Sequence, residues 1–327
     1  MRIFVVLFLL TALIGCSQPT KKQSHASAKI SPLNTLYDFR IIDSQSEERL
    51  NISQLAKRLK QADVVFLGEF HGNHASHLLQ AQLQAELFAQ RSNQVLTMEQ
   101  FTTDHQDALD HYFDEEIGEK LLIKQAGAWG NYKASYRPLI EFAKHNSLPV
   151  YAANAPADYV RCVGRHGQSY LDKFKDDEYL PKQPFLNDAD YEKKFMKFMG
   201  KMRKSSRLPK RSYYAQLLRD NSMAETILMA LKENPNAQVI HTNGAFHSNR
   251  FLGTAGLLKQ RNPALNIVVI SPVHVENMAE PTYQKTDLEK GNFIYLLSPQ
   301  PADYKQAENR KKAFKNMFKK SEKKHCK

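Results

Sequence analysis

Short apolar runs rich in β-branched residues alternate along the chain with longer amphipathic stretches. The short runs have the length and composition of buried strands, and the longer stretches repeat their apolar positions with a helical period. This alternation is typical of βαβ units and predicts an α/β fold, with a largely parallel or mixed central sheet, helices on both faces and a helical insertion. The predicted strands are 64–67, 95–98, 150–153, 239–242, 267–270 and 293–297, with 37–42 as an extra edge strand, and the clearest helices are 74–88, 136–145 and 212–231.

Several predicted strands end in side chains that can bind ligands or transfer protons. The functional site of an open α/β sheet lies beyond the carboxyl ends of its strands, so the residues that follow the strands are the first candidates. Glu and His are not turn-forming residues, which distinguishes them from Asn at such positions. The residues that follow the first four predicted strands are Glu69 and His71, then Glu99, then Asn154, and finally Asn243 and His247.

Two of these strand ends share the motif Gly-x-Phe-His, at 68–71 and 244–247. We expect the glycine to allow a tight exit, the phenylalanine to pack beneath, and the histidine to stand at a helix N-terminus. Taken singly, either histidine is typical of a satisfied, partly buried side chain. With the glutamates they form a cluster suited to a divalent metal or to general acid/base chemistry. We expect Glu69, His71, Glu99 and His247 to share one cleft, oriented by Asn154, Arg219 and Asp220, although an ion pair between Arg219 and Asp220 is the alternative for those two.

The N-terminus has the order of a secretory signal, with a charged start, an apolar run over 3–14 and a small residue. The run is shorter than the roughly 20 residues that a membrane-spanning helix needs. The segment 13–16 resembles a bacterial lipobox, which implies lipid attachment at Cys16; an ordinary signal with a chance cysteine is the alternative. Ser17 implies, by analogy with Gram-negative sorting, an envelope protein anchored in the outer membrane. The expected organisation is a signal peptide at 1–15, a flexible tether at 16–32, an α/β domain at 33–304 with its insertion near 187–212, and a basic tail at 305–327.

Two other cysteines, Cys162 and Cys326, remain after the lipobox residue. In an oxidising compartment they are able to pair, but the polar tail around Cys326 equally suits a free or intermolecular thiol. The sequence leaves both states open.

The formal net charge of +12 is concentrated in two short blocks. Nine Lys and Arg without an acid lie between 193 and 211, and ten Lys and Arg with two Glu lie between 305 and 327, which leaves the rest of the chain at −5. Because no continuous basic surface or nucleic-acid motif accompanies them, we expect no nucleic-acid partner. The tail block predicts a helix over 307–320 that suits contact with a membrane surface, with Phe314, Met317 and Phe318 among its lysines.

The first basic block also contains an apolar stripe at helical spacing. A stripe of Phe and Met beside lysines suits haem, because the flat macrocycle lies on soft apolar groups while lysines reach the propionates. Packing of the stripe on the main domain is one alternative, and contact with a membrane surface is another. The stripe consists of Phe195, Phe198, Met199 and Met202, with Lys197 beside it.

The chain resembles the ChaN-like haem-binding lipoproteins of the Tiki and erythromycin-esterase-like superfamily over nearly the whole body. The resemblance rests on 68–71, Glu99, 154–156, 214–220 with 223–224, and 244–247. It implies a lipid-anchored protein that takes part in haem or iron uptake at the cell envelope, with haem bound cofacially in a homodimer, tyrosine on iron, and an outer-membrane haem receptor as partner.

Relatives in the wider superfamily imply a different function for the same motifs. They use the paired GxxH motifs and the separated glutamate in metal-dependent or esterase chemistry. The alternative is therefore a metal-dependent hydrolase with Glu69 and Glu99 as catalytic residues and with His71, His247, Glu69 and Glu99 as ligands of a divalent metal. We expect a binding protein rather than an enzyme.

No local motif selects one of the 14 tyrosines as the haem ligand. Phenolate is a known haem ligand and suits ferric iron. Tyr159 is the first candidate, because it follows the strand end at 150–153 and falls on the first turns of a helix at the carboxyl edge of the sheet. The alternative for Tyr159 is a ring packed on the sheet. The weaker candidates are Tyr136, Tyr170 and Tyr213.

Overall fold

The computed structural model describes residues 30–182, 185–200, 208–322 and 325–326. Among these residues eight strands form one sheet, in the order β2-β1-β8-β7-β3-β6-β4-β5. The strands are β1 (Phe39–Asp43), β2 (Arg49–Leu50), β3 (Val64–Glu69), β4 (Gln94–Thr102), β5 (Val150–Asn154), β6 (Gln238–Gly244), β7 (Ile267–His274) and β8 (Phe293–Leu297).

The sheet is mostly parallel. The six neighbours from β8 to β5 run in one direction, while β1 pairs antiparallel with both β8 and β2. The predicted α/β class with a largely parallel or mixed sheet is therefore confirmed. The strand predicted at 37–42 is β1, but the two-residue strand β2 lies outside it, so β1 is second from the edge.

Helices cover both faces of the sheet because alternate strand residues point in opposite directions. Val65 and Leu67 of β3 belong to one core with Leu79 and Leu83, whereas Val64 lies in a second core on the other face. The helices are α1 (Ile52–Leu59), α2 (His74–Gln90), α3 (Gln106–Phe113), α4 (Glu119–Gln125), α5 (Tyr132–Ser135), α6 (Arg137–His145), α7 (Ala157–His166), α8 (Ala189–Gly200), α9 (Leu208–Glu233), α10 (Thr254–Arg261), α11 (Lys285–Leu288) and α12 (Ala307–Glu322).

The strands extend beyond the apolar runs from which they were predicted. At the end of β3, Gly68 pairs with Asn243 and Glu69 pairs with Gly244 of β6, so polar residues continue the ladder. The backbone hydrogen bonds of a buried ladder do not depend on apolar side chains. As a result, Glu69 belongs to its strand rather than to the loop that follows.

The termini and the insertion are described only in part. Helix α8 lies in the predicted insertion, but Met202 and the lipobox with Cys16 lie outside the described residues. The predicted tail helix is present as α12, and Cys326 beyond it forms a disulfide with Cys162 of α7, with a Cα–Cα distance of 5.7 Å. Within the described ranges, no helix is both long and apolar enough to cross a membrane.

Candidate functional site

The candidate site lies where the parallel strands β3, β4 and β6 end. The pairing of β4 with β5 shifts register between Met98 and Thr102, and the pairing of β4 with β6 ends at Met98. A bulge of this kind redirects the side chains beside it. Glu99 is the first residue of the irregular segment, and its side chain is buried among residues from β6 and the following turn.

Glu69 is fully buried and is held by donors from three directions. Its Oε1 atom lies 2.7 Å from His71 Nδ1 and accepts a hydrogen bond from the Tyr136 hydroxyl at 2.7 Å. Its Oε2 atom accepts a hydrogen bond from Gln80 Nε2 at 2.7 Å, and His77 Nδ1 lies 3.6 Å away. The carboxylate is therefore saturated by protein groups.

Glu99 connects the two Gly-x-Phe-His segments. Its Oε2 atom accepts a hydrogen bond from the Gly244 backbone N–H at 2.5 Å, and its Oε1 atom lies 3.4 Å from His247 Nε2. Gly244 also lies close to both His71 and Glu99. A Cβ atom built on Gly244 would be 2.7 Å from His71 Nε2 and 3.5 Å from Glu99 Oε2. Both histidines thus approach the same carboxylate.

His247 is buried between two carboxylates. Its Nδ1 atom lies 2.7 Å from Asp220 Oδ1, which also accepts a hydrogen bond from the Thr254 hydroxyl at 2.8 Å. The side-chain amide of Gln216 lies 3.1 Å from His247 Nε2. Asp220 comes from α9, so this helix fixes the orientation of an imidazole that β6 delivers.

The carboxylates and imidazoles shift one another's pKa values. Burial would lower the pKa of His247, but the charges of Asp220 and Glu99 raise it to about 10. Burial would raise the pKa of Glu99, but the charge of His247 and its hydrogen bond hold it far below the usual value. The pKa of Glu69 is lowered against burial by its hydrogen bond with His71, and Glu69 in turn raises the pKa of His71. At neutral pH the buried His247 is therefore the cationic partner of Asp220 and Glu99.

The three residues expected around the cluster are all linked to it. Asn154 donates a hydrogen bond from Nδ2 to the Glu99 carbonyl at 3.0 Å, and Arg219 reaches Asn154 Oδ1 at 3.4 Å. Asp220 is paired with His247 rather than with Arg219. The structure thus brings Glu69, His71, Glu99 and His247 together with these three residues.

The role expected of the first glycine in each motif was wrong. Gly68 and Gly244 lie in strands and do not form the tight exits expected of them. They are required for close packing instead, since a Cβ on Gly68 would approach the Ile270 carbonyl oxygen to 3.0 Å. The turn after β3 uses Gly72, whose φ is +75°.

Three residues from α2, from α9 and from the junction of α5 and α6 support the site, although the sequence did not predict their contacts with the cluster. Tyr136, Gln80 and Gln216 contact the cluster, and none of them follows a strand. His77 is buried near Glu69, whereas His74 is exposed and stacks on Tyr37 with ring centroids 5.2 Å apart. Only the rotation of α2 on the sheet distinguishes these two histidines.

Helix α8 packs against the loop that carries His247. Lys194 donates hydrogen bonds to the Phe246 carbonyl at 2.9 Å and to Asn249, and burial lowers the pKa of Lys194 to about 7. Phe195, from the predicted apolar stripe, is buried in the core on this face. Its neighbour Phe198 is 48% exposed. One phenylalanine of the stripe therefore packs in the core, and the other lies at the surface.

The carboxylates of the cluster are hydrogen-bonded or ion-paired within the protein. Within the described part of the chain, no three His, Cys, Asp or Glu side chains are arranged to hold a metal ion. Each carboxylate is already committed, Glu69 to His71, Tyr136 and Gln80, and Glu99 to Gly244 and His247. Ligation by His71, His247, Glu69 and Glu99 stays a prediction, and it requires these contacts to be exchanged for metal bonds.

The predicted haem-ligating tyrosines have different surroundings. Tyr159 donates a hydrogen bond to Asp177, and Tyr170 stacks on His166 with ring centroids 5.6 Å apart. Tyr213 is fully buried, and its hydroxyl bonds to the segment before α8. None of these three contacts the Glu and His cluster in the hydrogen bonds of the described residues, whereas Tyr136 does.

Comparisons with known proteins match this chain in family and in fold. A family model described as haem-binding uptake, Tiki superfamily, ChaN matches residues 55–258. ChaN of Campylobacter jejuni, a structure titled for cofacial haem binding, has a TM-score of 0.61 and 17% identity, over 80% of this chain and 98% of that chain. The erythromycin esterase EreC in an open conformation has a TM-score of 0.44 and 14% identity, over 84% of this chain and 86% of that chain, which is too weak to support an argument. No curated protein matches in sequence.

The fold and the paired histidine segments define an α/β protein with a buried histidine and carboxylate site at the carboxyl edge of its sheet. The family model covers more than half of the chain, so the chain belongs to the ChaN haem-binding uptake family of the Tiki superfamily. The resemblance inferred from the sequence motifs is thereby confirmed. At 17% identity, the likeness to the Campylobacter jejuni protein shows a shared fold.

Proposed function

We propose that this protein binds haem at the carboxyl edge of its sheet and takes part in haem or iron uptake. The observation that carries the proposal is an exposed phenol and imidazole pair in a member of a haem-binding family. Tyr37 is 56% exposed, and its ring stacks on that of the exposed His74. Tyrosine and histidine are both established haem ligands.

The position of this pair also favours a shared surface with the candidate site. Phe39 pairs with Leu297 at the carboxyl end of β8, which puts Tyr37 beyond that end of the sheet. His74 begins α2, five residues after Glu69 at the end of β3. Haem bound to this pair would lie at the carboxyl edge of the sheet. The side chain of His71, at the same edge, is 46% exposed.

Tyr159 and Tyr170 are less suitable as ligands than Tyr37. Burial and the hydrogen bond to Asp177 raise the pKa of Tyr159, which opposes formation of the phenolate. Both rings line a cavity of about 260 Å³ that also has Asp104 and Asp177 in its wall. With Asp158 these aspartates outnumber Arg161 in the wall, so the cavity carries an excess of negative charge that repels the propionates of haem.

Other residues that the sequence analysis predicted to bind haem lie on α8 and α9. Lys197 and Phe198 are exposed on α8 and available to a macrocycle or its propionates, and Met199 is partly buried beside them. The buried Tyr213 would have to give up its hydrogen bonds to reach iron. A cofacial haem pair between two copies of the chain also belongs to the proposal.

A haem titration tests the proposal directly. The full chain is titrated with ferric haem while the Soret band is recorded, and size-exclusion chromatography of the product reports on dimer formation. We expect a saturable Soret shift with a defined stoichiometry. Absence of a saturable shift would overturn haem binding, and a monomeric complex would remove the cofacial pair alone.

The proposed setting is the cell envelope, with a lipid at Cys16 that anchors the chain in the outer membrane beside a haem receptor. The Cys162–Cys326 disulfide supports an oxidising compartment. Palmitate labelling of wild type and Cys16→Ala tests the anchor. Equal labelling of the two chains would contradict it.

Hydrolysis is the second candidate function, and the Glu69–His71 pair favours it. A carboxylate holds Nδ1 of a partly exposed imidazole, which is the arrangement of a general base. Ester or peptide cleavage that is lost in Glu99→Ala and His71→Ala would support this function. Its sensitivity to a chelator would decide whether a metal takes part.

A further inference from the structure

The basic helix α12 is exposed. All described residues from Lys305 to Asn316 are exposed except Ala313, which is partly buried. Arg310 lies over the ring of Phe314 at 5.7 Å, and this ring is 39% exposed. A phenylalanine that remains in water among cations is unusual for a helix of a folded domain.

The far end of α12 is attached to the body of the protein. Cys326 forms the disulfide with Cys162, and the carbonyl of His325 accepts a hydrogen bond from Arg161 at 3.3 Å. The near end follows β8, which is five strands away from β5 in the sheet order. Five strand spacings cover about 24 Å of the sheet. The 16 residues of α12 form a helix that is also about 24 Å long. The attachments thus suit a helix that extends along the carboxyl edge.

We propose that α12 binds the surface of an anionic phospholipid bilayer. The segment 305–327 carries ten Lys and Arg against two Glu, so its charge complements acidic headgroups. The exposed Phe314 supplies an apolar group that enters the headgroup region. A helix bound in this way would turn the carboxyl edge of the sheet toward the bilayer. The binding does not depend on haem or on a lipid at Cys16.

Hydrogen exchange, measured segment by segment in the full chain, tests membrane binding by α12 itself. Contacts of other segments with the membrane do not affect the result for α12. Exchange of the amides of 307–322 is measured with vesicles of phosphatidylcholine and with vesicles in which phosphatidylglycerol replaces a third of it. We expect exchange to slow at least tenfold on the anionic vesicles only, and the effect to disappear in high salt, because the attraction is electrostatic. Equal exchange rates with the two kinds of vesicle would overturn the proposal.

A matched pair of variants assigns the effect to α12. Lys311→Gln, Lys312→Gln and Lys315→Gln together should weaken binding to the anionic vesicles about a hundredfold. The control removes three exposed lysines elsewhere, with Lys57→Gln, Lys60→Gln and Lys120→Gln, and should keep the protection. Unchanged protection in the α12 variant would contradict the proposal. Protection by an RNA oligonucleotide without protection by the anionic vesicles would assign the helix to nucleic acid and overturn it as well.

Discussion

His247 Nδ1 lies 2.7 Å from Asp220 Oδ1, so a histidine delivered by β6 is held by a carboxylate from α9. The pKa of His247 rises from 6.5 to about 10 in the folded chain. Since the folded value exceeds the unfolded one, the stabilisation is complete below about pH 6.5 and is lost as the pH rises toward 10.

We predict that the stability of wild type relative to His247→Gln decreases with rising pH across this window, at up to about 1.4 kcal/mol per pH unit. Urea unfolding of both chains between pH 6 and pH 10 measures the difference. Titratable groups that do not interact with His247 cancel in the comparison, whereas Glu99 does not, because the charge of His247 lowers its pKa. A difference that does not change with pH would show that His247 has an ordinary pKa.

The Tyr136 hydroxyl is predicted to stabilise the fold through Glu69. Tyr136→Phe leaves the buried carboxylate with one donor fewer and should cost about 1–3 kcal/mol of unfolding free energy. Tyr132→Phe is the matched control, because the hydroxyl of the buried Tyr132 has no hydrogen-bond partner among the described residues. Equal losses in the two variants would assign the effect to packing rather than to Glu69.

Gly244 is predicted to tolerate no side chain without loss of stability, because its Cα lies close to the ring of His71. In Gly244→Ala the new Cβ would meet His71 Nε2 at 2.7 Å, so the imidazole must move from Glu69, at a cost of about 1–3 kcal/mol. Gly164→Ala in α7 meets only Ala215 Cβ at 3.7 Å and should stabilise by about 0.5–1 kcal/mol. Thermal unfolding and the NMR shifts of His71 report both effects. An undisturbed His71 in Gly244→Ala would contradict the packing argument.

The disulfide between Cys162 and Cys326 should stabilise the chain. It connects residues 164 positions apart, and its loss in Cys162→Ser with Cys326→Ser should cost about 2–4 kcal/mol. Unfolding with and without reductant measures this cost, and only wild type should respond to the reductant. Recovery of both cysteines as free thiols from the unreduced chain would contradict the bond.

The sheet and its site residues were predictable because parallel topology brings the ends of the strands to one edge. Glu69, Glu99 and His247 follow apolar runs that are recognisable without a structure. The contacts of Tyr136 with Glu69 and of Gln216 with His247 were not predictable, because they depend on how helices rotate against the sheet. The same reason separates His74 from His77.

The choice of a tyrosine failed to follow from the sequence for a related physical reason. Phenols differ in their hydrogen bonds and exposure, and both are set by distant segments. Tyr159 meets Asp177, which lies 18 residues away, while Tyr37 stays exposed and stacks on a ring of α2. Neither contact can be predicted from the spacing of these residues in the sequence.

The absorption spectrum of the ferric haem complex, compared among wild type, Tyr37→Phe and Tyr159→Phe, is the measurement that decides whether Tyr37 binds the iron. Each substitution removes only a hydroxyl. If Tyr37 provides the phenolate, Tyr37→Phe should lose the ferric charge-transfer band and most of the haem affinity, while Tyr159→Phe keeps both. A Tyr37→Phe chain with the wild-type spectrum and affinity would contradict the proposed site.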